Sequence, residues 1–296
     1  MFYSRYKRDL AAARSRVRTP GSRVAETEHG PIEYVECGIG SPVLLVHGIV
    51  GGADHGPGMA QTYLGDGFRV ITVSRFGYLQ SPLPKDPSPA AQADIFASLL
   101  DVLEIPKVAL VGTSAGTASS LQFALRHPDR CAALVLWSMA VPPSPKPSPL
   151  VRLALRAFFG SDFSVWAIIT YFPSIMHQRM GVPQSIRHQL TPGQLEWLSG
   201  TMAKFLPTSM RIKGIMNDVS LSNPGVNDIQ IFEQISVPKL IIHAVDDPMP
   251  PFSGAKEIAN RLPNTRFIEI SNGGHLLLGH FDQVRAEIAA FIQHNY

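Results

Sequence analysis

The stretch VALVGTSAGTASSL, residues 108–121, joins an apolar run to a helical pattern through GTSAG, a turn that carries one serine between two glycines. The branched aliphatic run predicts a buried strand, and the TASSLQFALRH segment predicts a helix. A turn this tight forces its apical residue into a strained backbone conformation, and side chains larger than those of Gly112 and Gly116 would collide with its flanks. We therefore expect Ser114 to project outward at the C-terminal edge of a sheet, beside a helix N-terminus that favours a developing negative oxygen.

Seven further segments have the composition of strands. RVAETEH and PIEYVEC, residues 23–29 and 31–37, meet at Gly30-Pro31 and predict a hairpin. Five more runs, rich in Val, Leu and Ile, predict parallel strands covered on both faces: 42–48, 68–74, 132–138, 238–244 and 265–271. Helical patterns separate these runs, for example over 95–103 and over 281–292. This order predicts an α/β fold with a mostly parallel, doubly wound sheet.

A change of composition marks a long insertion in this sheet. Residues 141–149, VPPSPKPSP, contain five prolines, which cannot continue a helix or a central strand, and SVPK at 236–239 restarts the strand pattern. The segment between them is mostly helical in pattern and rich in aromatic residues, most of which we expect to form its own core. We predict an N-terminal helix over 1–21, a core domain over 22–141 and 236–296, and a helical cap over 142–235.

The positive charge of the chain is concentrated at its N-terminus. The net charge is +3, but residues 1–20 hold six Lys or Arg against Asp9 alone, so the rest of the chain is nearly neutral. A nearly neutral body excludes the extended basic field of a nucleic-acid-binding domain. Apolar residues recur at helical spacing in the basic segment and predict an amphipathic helix that lies on the protein's own body: Tyr3, Tyr6, Leu10, Ala13 and Val17.

Cysteine content and hydropathy indicate where in the cell the protein resides. Cys37 and Cys131 lie far apart and outside any CxxC context, so the sequence contains no metal or redox motif. No apolar run reaches the ~18 residues of a membrane span, and the N-terminal segment lacks the apolar region of a secretory signal. We expect a cytoplasmic protein without an integral membrane segment. The sequence sets no expectation for its oligomeric state.

A nucleophilic serine requires two partners. Its hydroxyl is weak unless a base accepts the proton, and a histidine base needs an acid that orients it. AVDDP, residues 244–248, follows one predicted strand, and NGGH, residues 272–275, follows the next. Because the carboxyl ends of parallel strands meet at one edge of a sheet, His275 and either Asp246 or Asp247 can approach Ser114 there.

Four segments resemble the α/β-hydrolase superfamily in the family's order: LLVHGIVGG (44–52), GTSAG (112–116), LIIHAVDDPMPP (240–251) and NGGHLLLGH (272–280). The resemblance covers nearly the whole chain from about residue 22. It implies that Ser114 is the nucleophile, that His275 is the general base and later the acid, and that Asp247 orients the imidazole. Asp246 is the second candidate, because the family places its acid four residues beyond the position of His243. No metal or organic cofactor is implied, since such a triad needs none.

HGIVGG, residues 47–52, resembles the oxyanion loop of the same family. The resemblance implies that the backbone N–H groups of Ile49 and Ala115 bind the oxygen of the tetrahedral intermediate, each lowering the barrier by ~3 kcal/mol. Three further histidines have structural interpretations. We expect His47 to brace this loop, His243 to lie in the strand beneath the acid loop, and His280 to begin a helix.

Departures from related subfamilies narrow the chemistry. Epoxide hydrolases and haloalkane dehalogenases of this fold use an aspartate nucleophile, and this chain has Ser114 at that position. Carbon–carbon hydrolases of ring-fission products commonly have a tryptophan after the catalytic histidine and an Asn-Ser-Met-Gly-Gly elbow. This chain has Leu276 after its histidine and TSAGT at residues 113–117. The serine at position 114 disfavours epoxide hydrolysis and dehalogenation, and Leu276 and TSAGT disfavour carbon–carbon hydrolysis. Together these residues favour ester hydrolysis.

We therefore expect a serine ester hydrolase that forms an acyl-enzyme on a small or medium ester with an apolar portion. Six basic residues of the insertion would allow the substrate to carry a free carboxylate as well: Arg152, Arg156, Arg179, Arg187, Arg211 and Lys213. The alternatives are carbon–carbon bond hydrolysis, hydrolysis of a lactone or thioester, and ligand binding without catalysis. A substrate panel and labelling by an active-serine reagent distinguish them.

Overall fold

The computed structural model describes residues 2–18, 21–140, 147–221 and 229–296. Its strands form an eight-stranded sheet in the order β1-β2-β4-β3-β5-β6-β7-β8. The strands are β1 Ser22–Thr27, β2 Gly30–Cys37, β3 Ser41–Val46, β4 Phe68–Val73, β5 Val108–Thr113, β6 Cys131–Trp137, β7 Lys239–Ala244 and β8 Thr265–Ile270. All eight predicted strands are present.

The strands have the relative directions that the sequence predicts. β1 pairs antiparallel with β2 in the predicted hairpin, and β2 pairs antiparallel with β4. The other pairs are parallel, from β4 through β3, β5, β6 and β7 to β8. The predicted fold class, a mostly parallel α/β sheet, is confirmed. The parallel strands all end at one edge, so the loops that follow β3, β5, β7 and β8 meet there.

Helices alternate with these strands and also fill the insertion. They are α1 Phe2–Val17, α2 Gly56–Tyr63, α3 Pro89–Val102, α4 Thr117–Arg126, α5 Pro149–Gly160, α6 Asp162–Tyr171, α7 Pro173–Arg179, α8 Gln184–Arg187, α9 Pro192–Ala203, α10 Ile212–Leu221, α11 Ile229–Phe232, α12 Phe252–Arg261 and α13 Phe281–Asn295. Several begin at the signals that the sequence provides. Ser88 accepts a hydrogen bond from the third residue of α3, and Thr191 forms a capping box with Gln194 at α9.

The sheet needs apolar residues on both faces because helices cover both. Along β3, Val43 and Leu45 pack in one cluster with residues of α2 and α13, whereas Leu44 and Val46 pack in the opposite cluster with α3, α4 and α12. Successive side chains of a strand point to opposite faces, so a strand between two helical layers reads as a continuous apolar run. This is why the runs lack the alternation of a half-exposed strand.

The helical lobe α5–α10 lies against the N-terminal helix. Ala13 and Tyr6 of α1 belong to the same apolar cluster as Trp166 of α6. The Trp166 indole donates a hydrogen bond to Asp9 at 3.1 Å, and Arg14 lies 3.6 Å from Asp162. The basic amphipathic helix therefore lies on the protein's own body, as expected.

The predicted cap runs from residue 142 to residue 235. Its first boundary, at 141 and 142, lies outside the described residues. At the other end, Phe232 and Ile235 fall within the predicted cap but pack in the core cluster beside Val237 and Leu134. Their burial under the sheet stabilises the return of the chain into β7.

Among the described residues, no helix taken alone has the length and apolar character of a membrane span. The pair Pro149–Gly160 and Asp162–Tyr171, bent by 80° where they join, satisfies those two criteria together.

Candidate active site

Ser114 occupies the strained turn that the sequence predicts. Its φ is 49°, in the left-handed region, where a residue with a side chain is unfavourable. A Cβ on Gly112 would lie 2.3 Å from the Ser120 hydroxyl oxygen, and a Cβ on Gly116 would lie 2.8 Å from the carbonyl oxygen of His47. The two glycines allow β5 and α4 to approach this closely, and the serine is held at the apex between them.

The structure brings together the three side chains expected to act with one another. His275 Nε2 lies 2.9 Å from Ser114 Oγ, and His275 Nδ1 lies 2.8 Å from Asp247 Oδ2. All three side chains are buried. The carboxylate can only accept, so Nδ1 carries the proton and Nε2 is left to accept from the serine hydroxyl. The arrangement can therefore move a proton from the serine oxygen to the imidazole.

The two adjacent aspartates have different partners. Asp247 Oδ1 also accepts the backbone N–H of Met249 at 2.9 Å, which fixes the carboxylate towards His275. Asp246 Oδ1 instead accepts the backbone N–H of Gly274 at 2.9 Å and so ties the acid loop to the histidine loop. His243 lies beneath this loop as expected, with Nε2 at 3.1 Å from the Pro250 carbonyl oxygen. Burial lowers its pKa and keeps the ring neutral.

The backbone around His275 is held from three sides. Gly273 and Gly274 have φ values of 118° and 60°, which let the loop turn sharply after β8. The Ser138 hydroxyl donates to the His275 carbonyl oxygen at 2.7 Å, and the His275 N–H donates to the carbonyl oxygen of Gly181, in the loop after α7, at 2.9 Å. Sequence analysis did not identify Ser138 or Gly181. Neither lies in a motif, and only the folded chain brings them to the histidine.

His47 braces the loop after β3, as expected. Its Nε2 accepts the backbone N–H of Arg75 at 3.0 Å, and its Nδ1 donates to the Gly48 carbonyl oxygen at 2.6 Å. Burial, and then the charge of Arg75, hold the pKa of His47 well below its ordinary value, so the ring stays neutral. Gly48 lies against the nucleophile, since a Cβ there would be 3.0 Å from Ser114 Cβ. The following residue, Ile49, lines the same cavity as Ser114, and Ala115 is the residue directly after the serine.

A cavity of about 550 Å³ opens over the serine and the histidine. Its wall is mainly apolar and comes from both the core and the helical lobe: Ile49, Met59, Tyr63, Trp137, Met180, Trp197, Met202, Phe205, Met249, Leu276 and Phe281. Two cations also line it, Lys204 and Arg285. Sequence analysis missed both, because nothing in the pattern around either residue differs from that of a surface cation.

Arg211 was expected near a substrate carboxylate, but the structure places it against a carboxylate of the protein itself. It is fully buried, and its guanidinium binds both oxygens of Asp54, at 3.0 and 2.7 Å, together with the carbonyl oxygen of Gly51 at 2.6 Å. Burial alone would raise the pKa of Asp54, but the neighbouring charges of His55, Arg211 and Arg16 lower it to about 2. Arg211 therefore holds the loop after β3 and is not a cavity-lining residue.

The other five basic residues expected near a substrate carboxylate do not line the cavity either. Arg152, Arg156, Arg179 and Lys213 are exposed, and Arg187 is half-buried. The long side chains of a helical lobe are mostly solvated, and sequence periodicity does not reveal which few face inward. Within the described parts of the chain, no group of His, Cys, Asp and Glu side chains is arranged to hold a metal ion.

Known proteins resemble this chain in sequence and in fold. A profile of the α/β-hydrolase fold matches residues 41–171. RutD of Caulobacter vibrioides strain NA1000 / CB15N, described as a putative carbamate hydrolase, is 27% identical over 264 residues, which cover 84% of this chain and 87% of that protein.

Solved structures show the same fold. An α/β-hydrolase fold protein from Nakamurella multipartita superposes with a TM-score of 0.76 and 23% identity, over 92% of this chain and 99% of that one. A thermophilic esterase from Thermogutta terrifontis, studied with malate bound, superposes with a TM-score of 0.69 and 22% identity, over 93% and 99% of the two chains. The profile match, the similarity to RutD along most of the chain and the shared sheet lead to one conclusion: the chain has the α/β-hydrolase fold.

Proposed function

We propose that the protein is a serine hydrolase that cleaves a carboxylic ester through an acyl-enzyme. The observation that carries this proposal is the hydrogen-bonded chain from Ser114 through His275 to Asp247, at 2.9 and 2.8 Å, in the wall of an apolar cavity. A serine in a strained turn, a neutral imidazole directed at its oxygen and a buried carboxylate behind the imidazole are the parts that acyl transfer needs.

The reaction begins with attack by Ser114 Oγ on the ester carbonyl carbon, while His275 Nε2 takes the hydroxyl proton. Asp247 holds the ring in the tautomer that accepts this proton and stabilises the imidazolium that results. When the tetrahedral intermediate collapses, the imidazolium gives its proton to the departing alkoxide. A water molecule then attacks the acyl-serine, with the same histidine as base, and releases the acid.

The negative oxygen of the intermediate binds to backbone donors. Ile49 and Ala115 supply their N–H groups, the first from the loop after β3 and the second from the start of the helical turn after Ser114. Two features support these roles. Gly48 packs against the serine, and His47 with Arg211 fixes the loop on either side of it. Preorganised donors of this kind typically lower the barrier by ~3 kcal/mol each.

The substrate is a small or medium ester with an apolar portion. The cavity measures about 550 Å³, and the apolar part of its lining is mainly aromatic and methionine side chains. Apolar walls bind a hydrocarbon portion by excluding water, and flexible methionines adapt to its shape. The mixed origin of the lining, from the core and the helical lobe, means that both parts of the chain determine acyl-chain preference.

Hydrolysis of p-nitrophenyl esters of increasing acyl length tests this proposal. Ser114→Ala should lower kcat by at least about a thousandfold, since no other group can form the acyl-enzyme. Ser119→Ala is the matched control, because that serine lies in the following helix and its hydroxyl donates only to the Gly116 carbonyl oxygen. It should retain activity.

A fluorophosphonate separates the remaining possibilities. Labelling that requires Ser114, without turnover of any simple ester, would leave the nucleophile in place and move the substrate to a lactone, a thioester or a ring-fission ketone. Absence of both turnover and labelling would contradict catalysis and favour a ligand-binding role for the fold.

A further inference from the structure

The charges around the cavity are unbalanced. Of its lining residues, Lys204 and Arg285 carry permanent positive charge, and no aspartate or glutamate is among them. His55 also lines the cavity, but burial lowers its pKa to about 4, so it is neutral at physiological pH. The reaction proposed above uses neither cation. Arg285 already pairs with Asp282 at 3.5 Å, whereas Lys204 has no ion pair among the described residues. A cation without a counter-charge in an apolar cavity favours an anionic ligand.

Lys204 is held in place by its backbone and free at its side chain. It follows the last residue of α9, and its carbonyl oxygen accepts hydrogen bonds from Arg16 at 2.9 Å, His55 at 3.0 Å and Arg211 at 3.1 Å. Three donors on one carbonyl make this position rigid. In the part of the chain that the structure describes, the ammonium group has neither a hydrogen bond nor an ion pair within 4.0 Å. Its donors are therefore available to a ligand.

The ammonium lies against Gly58, near the start of α2. A Cβ on Gly58 would be 2.6 Å from Lys204 Nζ, and both residues line the cavity. The dipole of a helix is positive at its N-terminal end. Lys204 thus adds a full charge to a region that is already positive.

Buried charges next to Lys204 increase the imbalance. Asp54 is the carboxylate at this place, and it already pairs with Arg211 at 2.7 Å and Arg16 at 3.5 Å. Three cations, counting Lys204, thus surround one carboxylate. Burial, followed by the charge of Arg16, lowers the pKa of Lys204, and Asp54 opposes this effect. A ligand carboxylate would supply the missing charge.

We infer that Lys204 binds a carboxylate carried by the substrate, so that the preferred esters are half-esters of dicarboxylic acids. This inference rests on the proposed ester hydrolysis and specifies its substrate class. One ammonium suits a singly charged carboxylate at the end of an otherwise apolar acyl chain, whereas a phosphate is usually bound by several donors. The ester carbonyl lies at Ser114, the hydrocarbon chain contacts the aromatic wall and the distal carboxylate accepts hydrogen bonds from Lys204.

The test uses pairs of p-nitrophenyl esters of the same shape. Each pair consists of the half-ester of succinate, glutarate or adipate and a neutral ester in which an isopropyl group replaces the carboxylate. The quantity measured is the ratio of kcat/KM for the charged ester to that for the neutral one, after subtraction of uncatalysed hydrolysis. For the best-fitting chain length, Lys204→Met should lower this ratio by about tenfold or more, mainly through a higher KM.

Three variants distinguish a loss of carboxylate recognition from a general loss of enzyme activity. Lys204→Arg should retain most of the ratio, because it keeps a cationic donor. Gly58→Ala should lower the ratio while the lysine is still present, because the new methyl group displaces the ammonium. Lys213→Met, at an exposed lysine of α10, should leave the ratio unchanged.

The possible outcomes separate this inference from the proposed function. Ser114-dependent hydrolysis with equal ratios in the wild type and Lys204→Met would overturn the carboxylate site and leave the esterase proposal intact. If no ester is hydrolysed, the esterase proposal fails, and calorimetric titration with glutarate then tests the site alone. Binding by the wild type that is at least about tenfold weaker in Lys204→Met supports the inference, and equal or absent binding contradicts it.

Discussion

Arg211→Met tests whether the buried arginine stabilises the loop after β3. The arginine makes five hydrogen bonds, two of them to Asp54 and the others to the carbonyl oxygens of Gly51, Lys204 and Phe205. Methionine fills much of the same space but donates nothing. The substitution leaves Asp54 buried with Arg16 as its remaining arginine partner, at 3.5 Å.

The magnitude follows from the charge that is left behind. The pKa of Asp54 is lowered from 3.8 to about 2, which corresponds to about 2 kcal/mol of stabilisation of its charged form. His55, Arg211 and Arg16 share this effect. Three carbonyl groups lose a donor as well. Breaking a buried ion pair by removing one partner typically costs 3–5 kcal/mol, so we expect a loss of about 4 kcal/mol.

Urea unfolding followed by circular dichroism at pH 7 measures this loss, and Tm should fall by about 10 °C. Asp54→Asn and the double variant complete a thermodynamic cycle. The double variant should be less destabilised than the sum of the single variants by at least about 1 kcal/mol, because removing both charges leaves neither unpaired. A loss below about 1 kcal/mol in Arg211→Met, or additivity of the two substitutions, would refute the reasoning.

Three further outcomes are expected. Gly116→Val should cost more than about 2 kcal/mol of stability in urea unfolding, since a Cβ there already lies 2.8 Å from a backbone oxygen; wild-type stability would show that the turn can open. Asp247→Asn should lower kcat for a p-nitrophenyl ester by about a thousandfold, because the amide no longer holds the correct histidine tautomer. Asp246→Asn, whose remaining oxygen can still accept the Gly274 N–H, should lower kcat less than about tenfold; the opposite order would exchange the two roles. Burial lowers the pKa of His55 from 6.5 to about 4, so the unfolded chain takes up the proton first as the pH falls. The stability from this group is complete above pH 6.5 and is lost towards pH 4, by about 3 kcal/mol. His55→Gln should lack this part of the pH dependence of the unfolding free energy, and an unchanged profile would contradict it.

The sheet could be predicted because its signals are local. Each strand between two helical layers needs a continuous apolar run, and each run in the sequence marks one strand of the sheet. The hairpin at Gly30 and the order of helices were readable for the same reason. The burial of Phe232 and Ile235 in the core cluster has no such local signal, because it depends on which surface the returning chain meets.

One part of the candidate site could be predicted from the sequence, and another part could not. The turn at Ser114 is written in its two glycines, since only glycine allows the close contacts on both sides. The acid was ambiguous from the residues, because Asp246 and Asp247 are adjacent and equally able to follow β7. The folded loop separates them, with one at the imidazole and the other at a backbone N–H.

The sequence by itself determined the fold class, the position of the strained serine and the loops that carry a histidine and an acid to the same edge of the sheet. These features depend on neighbours in the chain, where periodicity and turn chemistry act. Only the tertiary structure decided which cations face the cavity. Arg211 and Lys204 are seven residues apart in the same lobe, yet one is neutralised by Asp54 and the other has a free ammonium. That difference arises from groups brought together across the fold, and no local pattern of residues records it.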